Sequence, residues 1–328
     1  MAISSSADTA SALWYRGPGQ VEIRREQIAR PGQGEVRVKT LYSAISRGTE
    51  SLVFGGRVPA SEFERMRAPF MEGDFPFPVK YGYAAVGRVE SGGGPLQDRN
   101  VFALFPHQTA FNIPASAAVV LPQDLPPQRA VLAANMETAL NGVWDARPHV
   151  GDRIAVIGAG TVGCLTAWLA SRIAGCRVEL VDLNPRRAAT AAALNVHFAE
   201  PQSATTDADV VIHASGSPAG LELALSLAGT ESTITELSWF ADKRVSLPLG
   251  GPFHARRLTV ASSQVGTIPA AQRSRWTTTR RMQLALSLLQ DPALDVLITG
   301  ESDFDALSEV MAMLTESPGD ALCHRIRY

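Results

Sequence analysis

The chain has 328 residues, with 30 Lys and Arg against 32 Asp and Glu for a formal net charge of −2; it is 45% hydrophobic and 19% charged. That balance suits two globular domains with a sizeable core and gives no electrostatic footprint for nucleic acid or an anionic membrane, so neither is expected as a partner. No run approaches the ~20 apolar residues of a membrane span, residues 1–10 lack the basic start and apolar core of a signal peptide, and three scattered cysteines (Cys164, Cys176, Cys323) argue for a reducing compartment, hence a cytoplasmic location.

Residues 1–10 read as a loose tail. Residues 21–24 and 35–39 alternate with the period of half-buried strands, separated by Pro31-Gly32-Gln33-Gly34. From 55 to 78, Gly55, Gly56, Pro59, Pro69, Gly73, Pro76 and Pro78 punctuate too often for a long regular element, which suggests a functional excursion around a cleft. Strand-like patterns resume over 81–90 and 100–114 with a turn at 92–95, and 119–122 closes the β-rich part. From Pro126 the pattern turns helical: Ala130, Val131, Ala134, Ala139, Leu140, Val143 and Trp144 recur at three- and four-residue spacing.

The centre of the chain is the stretch that follows. Ile154, Val156 and Ile157 form a short apolar strand running directly into Gly158-Ala159-Gly160-Thr161-Val162-Gly163, after which Val162, Leu165, Leu169 and Ile173 keep helical spacing. Gly158 would turn the chain, Gly160 would let backbone approach a pyrophosphate, and Gly163 would let the helix lie close on the strand. The helix start, at Thr161 and Val162, would offer free N–H groups to the phosphates. A second strand over 177–181 ends at Asp182, about 20 residues beyond the last glycine, where a carboxylate should grip the adenosine ribose. A carboxylate there favours NAD over NADP; Arg186 and Arg187 leave NADP possible, since either could take a 2′-phosphate.

The alternation continues with a helix at 185–194, a strand at 209–213, a helix at 218–228 and strands near 230–237 and 257–263, the signature of a parallel sheet. Ser215-Gly216 would be a backbone turn beside the cofactor at the carboxyl edge of that sheet. Beyond Gly266 come a helix at 275–290, a strand at 296–299, a helix at 304–315 and a closing strand at 323–326, a tail expected to fold back on the N-terminal domain. Arg273, Arg275, Arg280 and Arg281 read as a solvated helix face.

The layout resembles the medium-chain dehydrogenase/reductase superfamily over nearly the whole chain. Pro31-Gly32-Gln33-Gly34-Glu35-Val36-Arg37-Val38 is similar to its P-x-x-G-E-V-x-V entry, and Val150-Gly151-Asp152-Arg153-Ile154-Ala155-Val156 to its G-D-x-V-x-V strand. The resemblance implies a doubly wound Rossmann sheet over 131–266 and a β-rich GroES-like substrate domain over 1–130, completed by 267–328. The segment 41–50 is similar to the one holding the first zinc-binding cysteine of zinc alcohol dehydrogenases. Here Ser46 takes that place, the usual G-H-E reads Gly82-Tyr83-Ala84, and the third ligand position near Ala134-Asn135 has no cysteine. No zinc is therefore expected, although Glu137, His107 and Asn135 leave one metal arrangement open.

Without a metal, a positioned donor must polarise the substrate carbonyl. Tyr83, in the place of the family's histidine ligand, could donate to substrate oxygen or simply line the cleft. Thr49 is similar to the family's proton-relaying Ser/Thr, with Glu50 behind it, and otherwise reads as a turn cap. Arg47 corresponds to a basic residue that reaches the pyrophosphate, or is an ordinary surface ion pair. His107 is the one histidine of the substrate-pocket segment 101–108 and suits general acid/base work, if it is not structural. Thr138 matches the threonine placed beside the nicotinamide, with Glu137 as an acid behind it or a helix-face charge. The resulting expectation is a zinc-independent oxidoreductase moving a hydride between NAD(H) and a small or medium alcohol or ketone. It would be a homodimer joined through the edge strand near 257–263. An NADPH-dependent reductase of enones or quinones, or a catalytically silent nucleotide-binding protein, are the alternatives.

Overall fold

The computed structural model describes residues 8–328. For residues 1–7 the expected loose tail lies outside the described residues. Asp8, Thr9 and Ala10, by contrast, already belong to a strand, Asp8–Gly17, paired antiparallel with Gln20–Ile28. Small Ala and Ser side chains hide the alternation here; Ala10, Ala12, Leu13 and Tyr15 are buried.

Two compact units make up the chain, one taking it up to Ala134 with Leu286–Gln290 and Ile298–Tyr328, the other Asn135–Ala285 with Asp291–Leu297. The first unit is β-rich. In one sheet Gln20–Ile28, Asp8–Gly17, Val79–Lys80 and Glu72–Gly73 lie side by side; in the other, Glu35–Ile45 sits centrally between Cys323–Arg327 and Ala85–Ser91. Val36, Val38, Ala85, Val89, Val101, Phe111 and Ile113 fill its core, where Phe105 stacks on Phe111 at 3.8 Å. The tail returns as expected: Cys323–Arg327 runs antiparallel to Glu35–Ile45, with His324 opposite Ile45, and parallel to Ile298–Asp303. That penultimate strand starts later than expected, because Leu294 and Leu297, both fully buried at a three-residue spacing, belong to a 3₁₀ helix, Pro292–Leu297.

The second unit carries a six-stranded parallel sheet. Its order is His197–Ala199, Arg177–Val181, Arg153–Ile157, Ala208–His213, Ala228–Glu236, Thr259–Ser262, which is 3-2-1-4-5-6 in the unit's own numbering. This is the Rossmann arrangement, with its switch point between Arg153–Ile157 and Ala208–His213. Continuous apolar runs such as Ile154 to Ile157 suit strands covered on both faces.

The division expected at residue 266/267 is displaced. Residues 267–285 stay with the parallel-sheet unit because Arg281, only 2% exposed, bonds Asn141, Glu137 (3.1 Å) and the Val265 carbonyl (2.6 Å), while Trp276 packs on Trp144 at 4.8 Å. Arg281 is thus a buried anchor and leaves the expected solvated row of arginines. Among the described residues no helix is long and apolar enough to cross a membrane.

Candidate functional site

The glycine turn of the second unit shows three different requirements. Gly158 adopts φ +105°, and a Cβ there would come within 2.6 Å of Ser215 Cα. At Gly163 a Cβ would meet the Gly158 carbonyl oxygen at 1.8 Å, so only glycine lets the helix Thr161–Ala170 sit so close. Gly160 differs from both: its φ of −76° and ψ of 179° suit any residue, and a Cβ would meet nothing within 4 Å. Packing therefore demands two of the glycines, and the third leaves open space beside backbone at a helix start whose N-cap makes no side-chain bond. Thr161 and Val162, half-buried, open that helix. A dinucleotide pyrophosphate fits such a cradle, since it needs close backbone approach and free N–H donors.

Asp182 sits at the end of Arg177–Val181. One carboxylate oxygen accepts from the Ala159 N–H at 2.6 Å and the other from the Asn184 N–H at 2.8 Å. The acid is thereby tied to the glycine turn, and each oxygen keeps acceptor capacity for a ribose hydroxyl. Arg186 is exposed, whereas Arg187 is buried at 7% exposure, close enough to oppose the effect of burial that pushes the Cys164 thiol up to about 12. A free phosphate-reaching arm is thus not what Arg187 is, which removes one of the two features that kept a 2′-phosphate open. Ser215 is exposed just past Ala208–His213, with Gly216 at φ +65° beside it, and Thr138 is half-exposed on the helix Ala133–Ala146.

In the first unit a second cluster forms around the helix Arg47–Phe54, on which Arg47 and Thr49 are half-buried and Glu50 is fully buried. Glu50 accepts from Tyr15 Oη (2.9 Å), His107 Nε2 (2.9 Å) and the Ser46 N–H (2.7 Å). With Nε2–H directed at the carboxylate, His107 Nδ1 accepts from Ser43 Oγ at 2.7 Å, and Ser43 Oγ accepts from Tyr328 Oη at 2.9 Å. His107 is 1% exposed with both ring nitrogens used, so it orients Glu50 and does not reach a substrate itself. This corrects its expected acid/base role: the imidazole is structural, and among the hydroxyl-bearing residues of the cluster Ser46, Thr49 and Tyr83 are only half-buried.

Tyr83 is half-buried and donates to Ser46 Oγ at 2.6 Å, with Thr49 as a further partner. Burial, reinforced by the Glu50 charge, pushes its phenol up to about 12; the same two causes hold Tyr15 well above its ordinary value, and burial followed by Tyr83 and Glu50 does so for Tyr81. All three stay protonated donors at neutral pH. The set does not fit zinc: Ser46 and Tyr83 are hydroxyls bonded to each other, and His107 would have to give up a buried partner to coordinate. Glu137, the other metal candidate, is committed to Arg281, and burial raises its carboxyl above the usual range despite that cation.

Ser43, Tyr15 and Tyr328 were not singled out by the sequence. They gather from opposite ends of the chain, so no local pattern announces them.

No family model matches the chain. An L-threonine 3-dehydrogenase of Rhizobium rhizogenes is 30% identical over 127 residues, covering 38% of this chain and 36% of that protein; the match spans about a third of the curated relative's length. Among solved structures, L-idonate 5-dehydrogenase of Escherichia coli K-12 superposes with a TM-score of 0.79 at 14% identity, covering 98% of this chain and 99% of that one. A Sinorhizobium meliloti 1021 dehydrogenase described as zinc-binding and solved with NADP gives 0.77 at 17% identity, with 98% and 100% covered. An alcohol dehydrogenase of Escherichia coli CFT073 solved with NADH gives 0.76 at 16%, with 98% and 99% covered. The chain has the fold of the zinc-type medium-chain dehydrogenases, a Rossmann unit and a GroES-like unit in one polypeptide.

Proposed function

We propose that this chain is a nicotinamide-dependent dehydrogenase that moves a hydride between the cofactor and the carbinol carbon of a small or medium alcohol or its ketone, without zinc. The observation that carries the reading is Gly160, a glycine that neither packing nor backbone angle requires and whose missing Cβ leaves open space at a helix start. Gly160, Thr161 and Val162 backbone would hold the pyrophosphate, Asp182 the adenosine ribose, and Ser215 and Thr138 the nicotinamide half. Asp182 supports NAD over NADP, because a carboxylate accepts from the 2′-hydroxyl and repels a 2′-phosphate. The nicotinamide supplies the hydride chemistry. Tyr83, neutral and relayed to Ser46 and Thr49, would donate to the substrate oxygen and pass on its proton, while Glu50, held by Tyr15 and His107, keeps the hydroxyl set in place. Arg47 is proposed as a phosphate contact.

The threonine dehydrogenase match and the cofactor-bound neighbours support the reaction class, and a homodimer through the exposed edge strand Thr259–Ser262 goes with it. The test is an assay of purified protein against a panel of secondary alcohols, polyols, ketones and enones with NAD(H) and NADP(H), following the absorbance of reduced nicotinamide. Turnover of a secondary alcohol with NAD is expected; no turnover with any of them would refute the proposal, and turnover of enones alone with NADPH would replace it with a double-bond reductase.

A further inference from the structure

At the carboxyl edge of the parallel sheet the structure contains an arrangement of which the dehydrogenase reading uses only Ser215, as a cofactor contact. His213 ends the strand Ala208–His213 and is fully buried. Its Nδ1 lies 2.6 Å from Glu236 Oε2, at the end of the neighbouring strand Ala228–Glu236, and its Nε2 lies 2.6 Å from Ser215 Oγ. With Nδ1–H directed at the carboxylate, Nε2 is the acceptor and Ser215 O–H the donor. Nucleophile, base and orienting acid thus stand in sequence, the geometry by which such relays are recognised whatever their order in the chain.

The surroundings are shaped to keep it. A Cβ at Gly220 would meet Ser215 Oγ at 2.3 Å and His213 Nε2 at 2.8 Å, so the glycine is what makes room for the pair. Glu236 is itself held by the Ser238 N–H on its other oxygen at 2.6 Å, and Phe240 lies nearly parallel to the imidazole, 13° off, with centroids 6.2 Å apart. The Ser217 N–H donates to Ser215 Oγ at 3.2 Å, which leaves the hydroxyl's own proton for the histidine. Ser215 is exposed although its partner is buried, and the ten-residue helix Pro218–Leu227 that follows starts with no side-chain cap among the described residues. Pro218 has no N–H, and the N–H groups of Ala219 and Gly220 behind it have no acceptor inside the helix. They are the donors an oxyanion needs.

We propose that Ser215 is an activated nucleophile, with His213 its general base and Glu236 the residue positioning that base, and that this relay hydrolyses small, unhindered carboxylic esters. Ser215 Oγ bonds to the acyl carbon as its proton passes to His213 Nε2, and the resulting oxyanion is met by the first turn of Pro218–Leu227. The carbon–oxygen bond to the alcohol breaks as His213 returns that proton to the leaving oxygen. Water, deprotonated by the same nitrogen, then attacks the acyl carbon, and Ser215 Oγ leaves with the proton. No oxidant or reductant enters, so the step needs no nicotinamide.

The test uses cofactor-free full-length protein. Diisopropyl fluorophosphate, whose P–F bond breaks as Oγ–P forms, is expected to add one phosphoryl group at Ser215, located by peptide mass spectrometry. p-Nitrophenyl acetate hydrolysis is expected to fall about 100-fold or more in Ser215→Ala, the range general base catalysis spans, and to resist rescue by imidazole. If the native protein carries no adduct on Ser215, or if Ser215→Ala hydrolyses the ester at the native rate, the proposal is overturned. A purely structural bond between strand ends would leave Ser215 unlabelled. The adduct needs no variant, so a failure of His213→Gln to fold does not blunt the test. Because the dinucleotide is absent throughout, a negative result leaves the dehydrogenase reading where it stands.

Discussion

Alanine at Gly160 and at Gly163 should have opposite consequences, although the two residues are three apart in one turn. At Gly163 the new methyl would sit 1.8 Å from the Gly158 carbonyl oxygen, so the helix Thr161–Ala170 must move off the strand. Overpacking of that kind costs about 1–3 kcal/mol, and each kcal/mol lowers the melting temperature by roughly 2–4 °C in a unit of this size. At Gly160 the methyl meets nothing and the backbone angles are ordinary, so the loss is confined to about 0.5 kcal/mol for a poorer N-cap. Binding reverses the ranking. The Gly160→Ala methyl occupies the space assigned to the pyrophosphate and removes about one charge-assisted hydrogen bond, worth ~1.5–3 kcal/mol, which is about 10- to 100-fold in affinity. Thermal melts and NADH fluorescence titration of both variants make the comparison. A Gly160→Ala protein that melts normally and binds NADH as tightly as the native chain would refute the assignment of that glycine to a ligand.

Other outcomes follow from single groups. Tyr83→Phe should lower kcat about 100-fold while leaving NADH affinity unchanged, as expected for loss of one donor to the reacting oxygen. Because its phenol is pushed up to about 12, no fall in activity up to pH 10 is expected to come from Tyr83. Arg281→Met strands Glu137 as a buried anion and should cost about 3–5 kcal/mol at pH 8; the deficit should shrink towards pH 5, because Glu137, already raised by burial, then takes up its proton. Burial pushes the Cys164 and Cys323 thiols up to about 12, so the stability they contribute is complete below about pH 9 and is lost as pH rises towards 12; urea midpoints across that window should decline. In the folded protein a thiol reagent should modify Cys176, the half-exposed cysteine, quickly and the other two only on unfolding.

Much of this molecule was legible in the sequence, for definite physical reasons. The parallel strands, the glycine turn and Asp182 are local: each is read from neighbours within a few residues, and sterics leave Gly158 and Gly163 little choice. The tail's return onto the first sheet followed from strand patterning. What escaped was non-local. Arg281 looked like one of four exposed arginines, and only its approach to Glu137 and Asn141, about 140 positions away, makes it an interior anchor. His107 suited acid/base chemistry by residue type, yet Ser43 and Glu50 use both its nitrogens. The Ser215–His213–Glu236 relay was invisible for the same reason, since Glu236 comes beside His213 through register between adjacent parallel strands.

The central claim is a dinucleotide held by the glycine turn in a protein whose hydroxyl cluster has taken over from a metal. Metal analysis of the purified, dialysed protein combined with an NADH titration tests both halves in one sample. The account predicts one NADH bound per chain with zinc far below one equivalent; stoichiometric zinc, or no binding of NADH or NADPH, would contradict it.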